Sequence, residues 1–416
     1  MADLGVSQPR LSQVVAEAGP RICRMGRARA TAYAATRELS GLGPSLPLHQ
    51  IDESGRVHEY GRLHVLAERD RYWLERSDRR DELVRGLPTF AEDLSPQGYL
   101  GGSFPARNPD LGLPIRVRDW DNDQKLIAVA RRGEDGFGNV VVGAESLDRF
   151  LAAETRSSTP GQYPGIGRES LLGQPGSSAG GEQPKFTAFV EGRHVLVKFA
   201  DGDGSAAGRW RDLLACEALA LDIVRRAGLP AAEARLHDVL GGRYLEVNRF
   251  DRVGERGRRG AVSLAAINNQ YLSSDYSWTK AAACLRTERF ADVDAESLDR
   301  MVWLDAFGDL IANSDRHFGN LSFLSDESSG RWRLRLAPVY DMLPMWFAPR
   351  GTALADRPFV PGPPTSDNYT HWADAARWAA DFWGEAVGLQ TVGDDMRRIC
   401  EASGAAVEAM RRRHGA

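Results

Sequence analysis

Two short runs of β-branched and aromatic residues, 185–190 and 194–199, stand only three residues apart, with Glu191, Gly192 and Arg193 between them. Runs of that length and spacing read as the two strands of a hairpin. The pattern then changes. Residues 213–226 place apolar side chains at helical spacing and run into Gly228 and Pro230, the usual stop signals. Residues 244–250 return to strand character, and from Glu296 onward Leu298, Met301, Val302, Ala306 and Leu310 mark a long amphipathic helix, with mostly helical sequence to Ala416. This order predicts an α+β, bilobal fold: a small β-rich lobe followed by a large helical one.

Gly- and Pro-rich stretches at 40–47 and 157–181 read as linkers. They divide the chain into a head (1–45), an α+β subdomain (46–155), the β-rich lobe (156–255) and the helical lobe (256–416). At 416 residues the chain exceeds what one core accommodates, which agrees with such a division. Within the subdomain, residues 56–75 alternate polar and apolar positions around Gly61 and Asp70, as in a small antiparallel sheet. Strand-like runs follow at 126–130 and 140–143. No apolar run approaches the ~20 residues that span a bilayer, so no membrane partner is expected. With no secretory signal region visible, a cytoplasmic location is the expectation. Cys23, Cys216, Cys284 and Cys400 are scattered and propose neither a zinc site nor a disulfide framework. Net charge is −4, yet residues 1–40 hold six arginines against Asp3, Glu17 and Glu38, a local balance of +3. A basic head on an acidic chain is the footprint of a nucleic-acid contact.

The chemistry concentrates in Asn313-Ser314-Asp315-Arg316-His317-Phe318-Gly319-Asn320, at the end of the long helix. Asp315 and Asn320 are five residues apart, the spacing used between a phosphotransfer base and a metal-binding amide. An aspartate must take the proton of an attacking hydroxyl while an amide oxygen close by holds magnesium against phosphates. Residues 321–324 and 332–336 then form a hairpin that delivers Asp341 as a second magnesium ligand. His317 braces the loop and is grouped with the residues around the nucleotide. Gly180 and Gly181 let backbone N–H groups turn toward an anion, and Lys185 adds a point charge. Lys198 shares a strand face with Leu196, opposite Val197 and Phe199, and is expected to meet nucleotide phosphates with Glu217 as its ion-pair partner. Residues 244–251, with Glu246, Phe250 and Asp251, form the connector between lobes, where backbone groups meet adenine.

Together these segments resemble the HipA family of serine/threonine kinases, toxins of bacterial toxin–antitoxin systems. The resemblance rests on Ser177-Ser178-Ala179-Gly180-Gly181-Glu182-Gln183-Pro184-Lys185, on the connector Glu246 to Arg252, on the Asp315 loop and on Ala337-Pro338-Val339-Tyr340-Asp341, in the family's order. Leu87-Pro88, Pro96 to Gly101 and Ala130 to Asp135 resemble its N-terminal subdomain. The resemblance implies an ATP- and Mg2+-dependent protein kinase. Asp315 is the implied base, Asn320 and Asp341 the metal ligands, and Lys198 and Lys185 the phosphate contacts. It further implies autophosphorylation of Ser178, with Ser177 the adjacent candidate, an antitoxin partner, and a translation component as protein substrate. Residues 4–13 resemble the turn and recognition helix of a helix-turn-helix module. Ser7 would cap that helix, Gln8, Arg10 and Gln13 would face DNA, and a basic wing would follow at 21–37, giving a partial winged-helix-like head. Two other readings stay open. Asp-Arg-His followed by Asn also resembles phosphoinositide and lipid kinases, and a transcription regulator or antitoxin-like module that only binds nucleotide would keep the same fold.

Overall fold

The computed structural model describes residues 7–26, 30–77, 81–171, 183–272, 277–327, 330–354 and 357–415. Helix α1 (Gln8–Ala18) opens the chain and is followed by the antiparallel pair β1 (Ile22–Met25) and β2 (Ala32–Ala35). Ser7 stands at the N-cap with extended backbone, but its hydroxyl makes no capping bond; Pro9 in the first turn has no N–H to be satisfied.

Residues 40–47, expected as a linker, are a connection only as far as 44. Strand β3 (Ser45–Ile51) starts inside that stretch, because Leu46 and Leu48 bury against one face of the sheet and Ile51 against the other. With β4 (Val57–Val65), β5 (Arg71–Arg76), β6 (Glu82–Arg85) and β7 (Val140–Val142) it makes a sheet of order β6-β5-β4-β3-β7. Gly61, at φ 147°, is required in β4: a Cβ there would lie 2.0 Å from the Glu75 carbonyl oxygen of the neighbouring strand. Between β6 and β7 run α2 (Thr89–Leu94), α3 (Gly98–Gly102), α4 (Phe104–Arg107) and α5 (Asn122–Arg132). The run 126–130, expected as a strand, lies in α5. Asp121 and Gln124 form a capping box at its start, which fixes helical geometry before the apolar run begins. Helix α6 (Ala144–Ala152) covers the sheet's far side. The stretch 157–181, likewise expected as a linker, contains in its described part α7 (Tyr163–Leu171), whose Tyr163 is fully buried.

The β-rich lobe is antiparallel, of order β10-β11-β9-β8. Strands β8 (Lys185–Val190) and β9 (Arg193–Ala200) turn through Glu191 and Gly192, both at positive φ, as a two-residue hairpin requires. Helix α8 (Ser205–Arg226) crosses to β10 (Ala234–Val239) and β11 (Gly242–Asn248). The small pair β12 (Arg252–Val253) and β13 (Gly257–Arg258) leads into the helical lobe. There, β14 (Ala261–Ser263), α9 (Leu264–Ile267), α10 (Trp278–Thr287), β15 (Asp292–Val293) and α11 (Ala295–Leu310) precede β16 (Ser322–Asp326) and β17 (Arg333–Leu336). Helices α12 (Tyr369–Gly388) and α13 (Asp394–His414) pack beside α11 around Trp278, Phe307, Phe382 and Trp383, all buried. Among the described residues no helix is long and apolar enough to cross a membrane.

The five-stranded sheet's subdomain is bound to the connector after β11 by a buried set of ions. Asp251, 2% exposed, accepts from Arg252 at 2.6 Å, from Arg249 at 3.1 Å and from the Gly138 N–H at 3.0 Å. Arg252 donates in turn to the Gly136 carbonyl at 2.7 Å and the Asp135 carboxylate at 3.0 Å. Removing one partner of such a set leaves uncompensated charge in a dry site. Asp251→Ala is therefore expected to lower stability by about 3–5 kcal/mol, read as an earlier transition in urea unfolding.

Candidate active site

Lys198 lies on β9 and is 4% exposed. Its Nζ donates to both carboxylate oxygens of Glu217 on α8, at 2.7 and 2.9 Å, and to Asp341 at 2.6 Å. Leu196 and Lys198 both line the cleft, whereas Val197 and Phe199 are buried in the lobe's own core, as strand alternation dictates. Burial works against charge on Lys198, but the two carboxylates outweigh it and the lysine's pKa rises above its ordinary value. Burial likewise opposes charge on Asp341, and there Lys198 and Lys185 win, so its pKa falls. For Glu217 burial prevails over Lys198 and the pKa rises. Lys185 is the cross-strand partner of Lys198 at the start of β8 and opens onto the same cleft.

Helix α11 ends with Ala312 in the left-handed region, at φ 60°, which turns the chain sharply into the loop. Arg316 holds that loop from beneath, donating to Asp305 and Asp309 of α11 at 3.1 Å each and to the Asn313 carbonyl. Asp305 also accepts from the Thr279 N–H and hydroxyl, so α10, α11 and the loop share one carboxylate. Asn313, 1% exposed, accepts from the Asp315 N–H at 3.1 Å and donates to the Asp341 carbonyl at 3.3 Å. It thereby joins the loop to the segment after the hairpin. Asn320 donates its amide N–H to the Asp315 carbonyl at 2.8 Å, which leaves its amide oxygen free of that bond. Asp341 itself has φ 57°, a strained conformation that aspartate tolerates better than most residues.

Asp315, Asn320, Asp341, Lys198, Lys185 and His317 all line one cavity of about 810 Å³. Asp315 reaches solvent at its mouth, yet the cleft walls strip part of its hydration and Asp341 repels it, so its pKa is raised despite His317 nearby. His317 accepts the Gly319 N–H on Nδ1 at 3.0 Å, and its carbonyl accepts from Trp278 at 3.2 Å, a bracing role. A second cavity of about 610 Å³ continues the cleft beside the connector, walled by Leu196, Val247, Phe250 and Tyr340. Phe250 stacks on Tyr340 with centroids 5.8 Å apart.

Two connector side chains are committed to other partners. Glu246 alternates to the opposite face of β11, where Tyr163 donates to it and His237 approaches to 2.9 Å; it lines neither cavity. Asp251 borders the second cavity, but its carboxylate is taken up by the arginine set described above. Ser177, Ser178, Gly180 and Gly181 lie outside the described residues. Arg10 and Gln13 are exposed on α1 and bonded to each other at 3.0 Å, while the Gln8 side chain is not among those described.

The subdomain adds cleft residues that the sequence did not disclose. Phe137 stands edge-on to Phe250 at 5.8 Å, and Asp93 and Gln97 border both cavities. Their only sequence signal was the run of resemblance around Pro96 and Asp135, which speaks of kinship and not of position. Asp93 accepts from the Ser263 N–H at 2.7 Å and hydroxyl at 2.5 Å, tying α2 to the N-terminus of α9.

The lobe interface thus holds a lysine–glutamate pair, with a loop asparagine and two aspartates at one opening, on a bilobal α+β fold. Residues 177–410 match the HipA-like C-terminal domain family, and residues 42–151 the middle domain of YjjJ-like toxins. The chain is 34% identical over 414 residues to the toxin YjjJ of Escherichia coli (strain K12), spanning 96% of this chain and 90% of that protein. It belongs to the HipA-like toxin family. Among solved structures, the HipA, HipB and operator DNA complex from Shewanella oneidensis MR-1 contains a chain with the same fold. The TM-score is 0.54 at 16% identity, over 88% of this chain and 97% of that one. The Helicobacter pylori proinflammatory kinase CtkA overlaps 55% of this chain and 88% of its own at 15% identity, with a TM-score of 0.39.

Burial pushes the Asp93 carboxyl up to about 7 from its ordinary 3.8. A carboxyl raised in the fold favours folding where it is neutral, and that contribution is lost as pH rises toward the folded value. Thermal melts are expected to show the wild type losing stability relative to Asp93→Asn between about pH 4 and pH 7, with the difference constant above it.

Proposed function

We propose that the chain is an ATP- and magnesium-dependent protein serine/threonine kinase of the HipA type that phosphorylates its own Ser178 or Ser177. The observation that carries this reading is the bridge from Glu217 through Lys198 to Asp341, with Asp315 and Asn320 opening on the same cavity. The donor set suits magnesium: one carboxylate, Asp341, and one free amide oxygen, on Asn320, leave room for phosphate and water ligands. Among the described residues no cluster of three His, Cys, Asp or Glu side chains could hold a metal alone, and magnesium does not ask for one. Bound magnesium would neutralise charge on the phosphates. Lys198 and Lys185 would add fixed positive charge beside them, and Phe250, Tyr340 and Leu196 would enclose the base. Asp315 would take the proton of the attacking hydroxyl; its raised pKa brings it closer to working pH, which favours a general base. In this reading residues 1–45 are the head, 46–155 the subdomain, 156–255 the smaller lobe and 256–416 the larger.

The protein works in the cytoplasm on a protein substrate, a component of translation, and is held by an antitoxin partner. Its head contacts DNA through Gln8, Arg10 and Gln13. What supports the head's role is an exposed helix followed by a two-stranded wing, on a stretch of net charge +3.

Incubation with labelled ATP and magnesium is expected to label the wild type at Ser178 or Ser177. Asp315→Ala should lower the labelling ~10²-fold or more, the usual scale for losing a general base. Equal labelling of both proteins overturns Asp315's role, and phosphate on vesicle lipid with none on protein reassigns the enzyme to lipid kinases. For the head, Arg10→Ala should flatten the dependence of log affinity on log salt by about 1 for duplex DNA from the gene's own upstream region. An unchanged slope and affinity removes Arg10 from the DNA contact.

A further inference from the structure

Beside α8, a cavity of about 760 Å³ opens between that helix, Phe347, Leu354, residues 357–359 and the first turns of α13. Three guanidinium groups line it, Arg209, Arg357 and Arg398, against the single carboxylate of Asp395. Among its described lining residues the balance is therefore +3 − 1 = +2. Arg209 is 4% exposed; it donates to the Phe347 carbonyl at 3.1 Å and to Asp395. Asp395 must also serve Arg398 at 3.1 Å, and its own side chain is 59% exposed, so water weakens what it offers to both. Arg357 lies 3.5 Å over the Trp346 ring and donates to the Trp346 carbonyl at 3.2 Å, while its Nε, shielded from water, has no hydrogen-bond partner. Two positive charges in excess, presented by planar forks beside the N-terminus of α13, are matched to an anion of charge near −2 with several acceptor oxygens. A phosphate monoester has that charge at neutral pH. The cavity is larger than a phosphate group, and Leu354 and Phe359 give it an apolar rim.

We propose that this cavity binds a phosphate monoester carried on a serine or threonine side chain flanked by apolar residues. The site is regulatory in position. Arg209 lies about two turns before Glu217 on α8, and Phe347 follows Asp341 by six residues. A phosphate gripped by Arg209, Arg357 and Arg398 ties together the helix that holds Lys198, the segment leaving Asp341, and α13. It needs no transfer chemistry, so it stands or falls separately from the proposed kinase activity.

The test is calorimetric titration of the full chain in an Asp315→Ala background, so that turnover does not enter. The probes are a phosphoserine heptapeptide with leucine on either side of the phosphoserine, its unphosphorylated form, and inorganic phosphate. The phosphopeptide is expected to bind with Kd below about 1 mM, at least tenfold tighter than inorganic phosphate, and the unphosphorylated peptide not at all. Arg357→Ala with Arg398→Ala should weaken it about tenfold or more. Arg398→Glu, on a mostly exposed side chain, repeats the measurement should the double variant fold poorly. No binding up to ~10 mM, or affinity unchanged in both variants, overturns the site. Equal affinity for inorganic phosphate and phosphopeptide means an adventitious ion only, and overturns it as well.

Discussion

A single buried cation organises the cleft. Lys198 is charged in a place that disfavours charge, and it stays so because Glu217 and Asp341 both reach it. These three residues come from β9, α8 and the segment after β17, so their contact fixes the smaller lobe against the larger. Lys198, with Lys185 beside it, also keeps Asp341 ionised, the state a metal ligand needs. Every other feature of the opening is set relative to this contact. Asn313 ties the Asp341 backbone to the loop, and Arg316 ties the loop to α11.

The cleft is not the property of the two lobes alone. The segments matched to the YjjJ-like middle domain and to the HipA-like C-terminal domain meet at the second cavity. Phe137, Phe250 and Tyr340, one each from the subdomain, the connector and the larger lobe, form a continuous aromatic row across it. The arginine set around Asp251 and the Asp93–Ser263 contact hold that arrangement from two sides. Charge pairing of this kind is directional. It fixes the subdomain's register on the connector more tightly than apolar packing of the same area would, because misplacing it strands buried charge.

Legibility followed the range of the interactions. The β8–β9 hairpin, α8, α11 and the hairpin that delivers Asp341 were readable because each is specified by local periodicity and turn chemistry. The misreadings have the same origin. Residues 126–130 carry an apolar run that suits strand or helix equally, and only the capping box at Asp121 settles it. Residues 40–47 resemble a linker until β4 and β7 are present to pair with β3. The Glu246 side chain turns to the face of β11 opposite the cleft, which one step of strand alternation decides.

By itself the sequence determined the α+β, bilobal order, the elements that carry Asp315, Asn320, Asp341 and Lys198, and membership of the family, since these depend on spacing along the chain. The tertiary structure alone decided that Asp93, Gln97 and Phe137 border the cleft, that Asp251 serves the subdomain, and that Arg209, Arg357 and Arg398 share one cavity. The contacts that place them, such as Gly138 with Asp251 and Arg209 with Asp395, join positions more than a hundred residues apart. Their proximity depends on how cores and buried charges pack, and no local pattern encodes that.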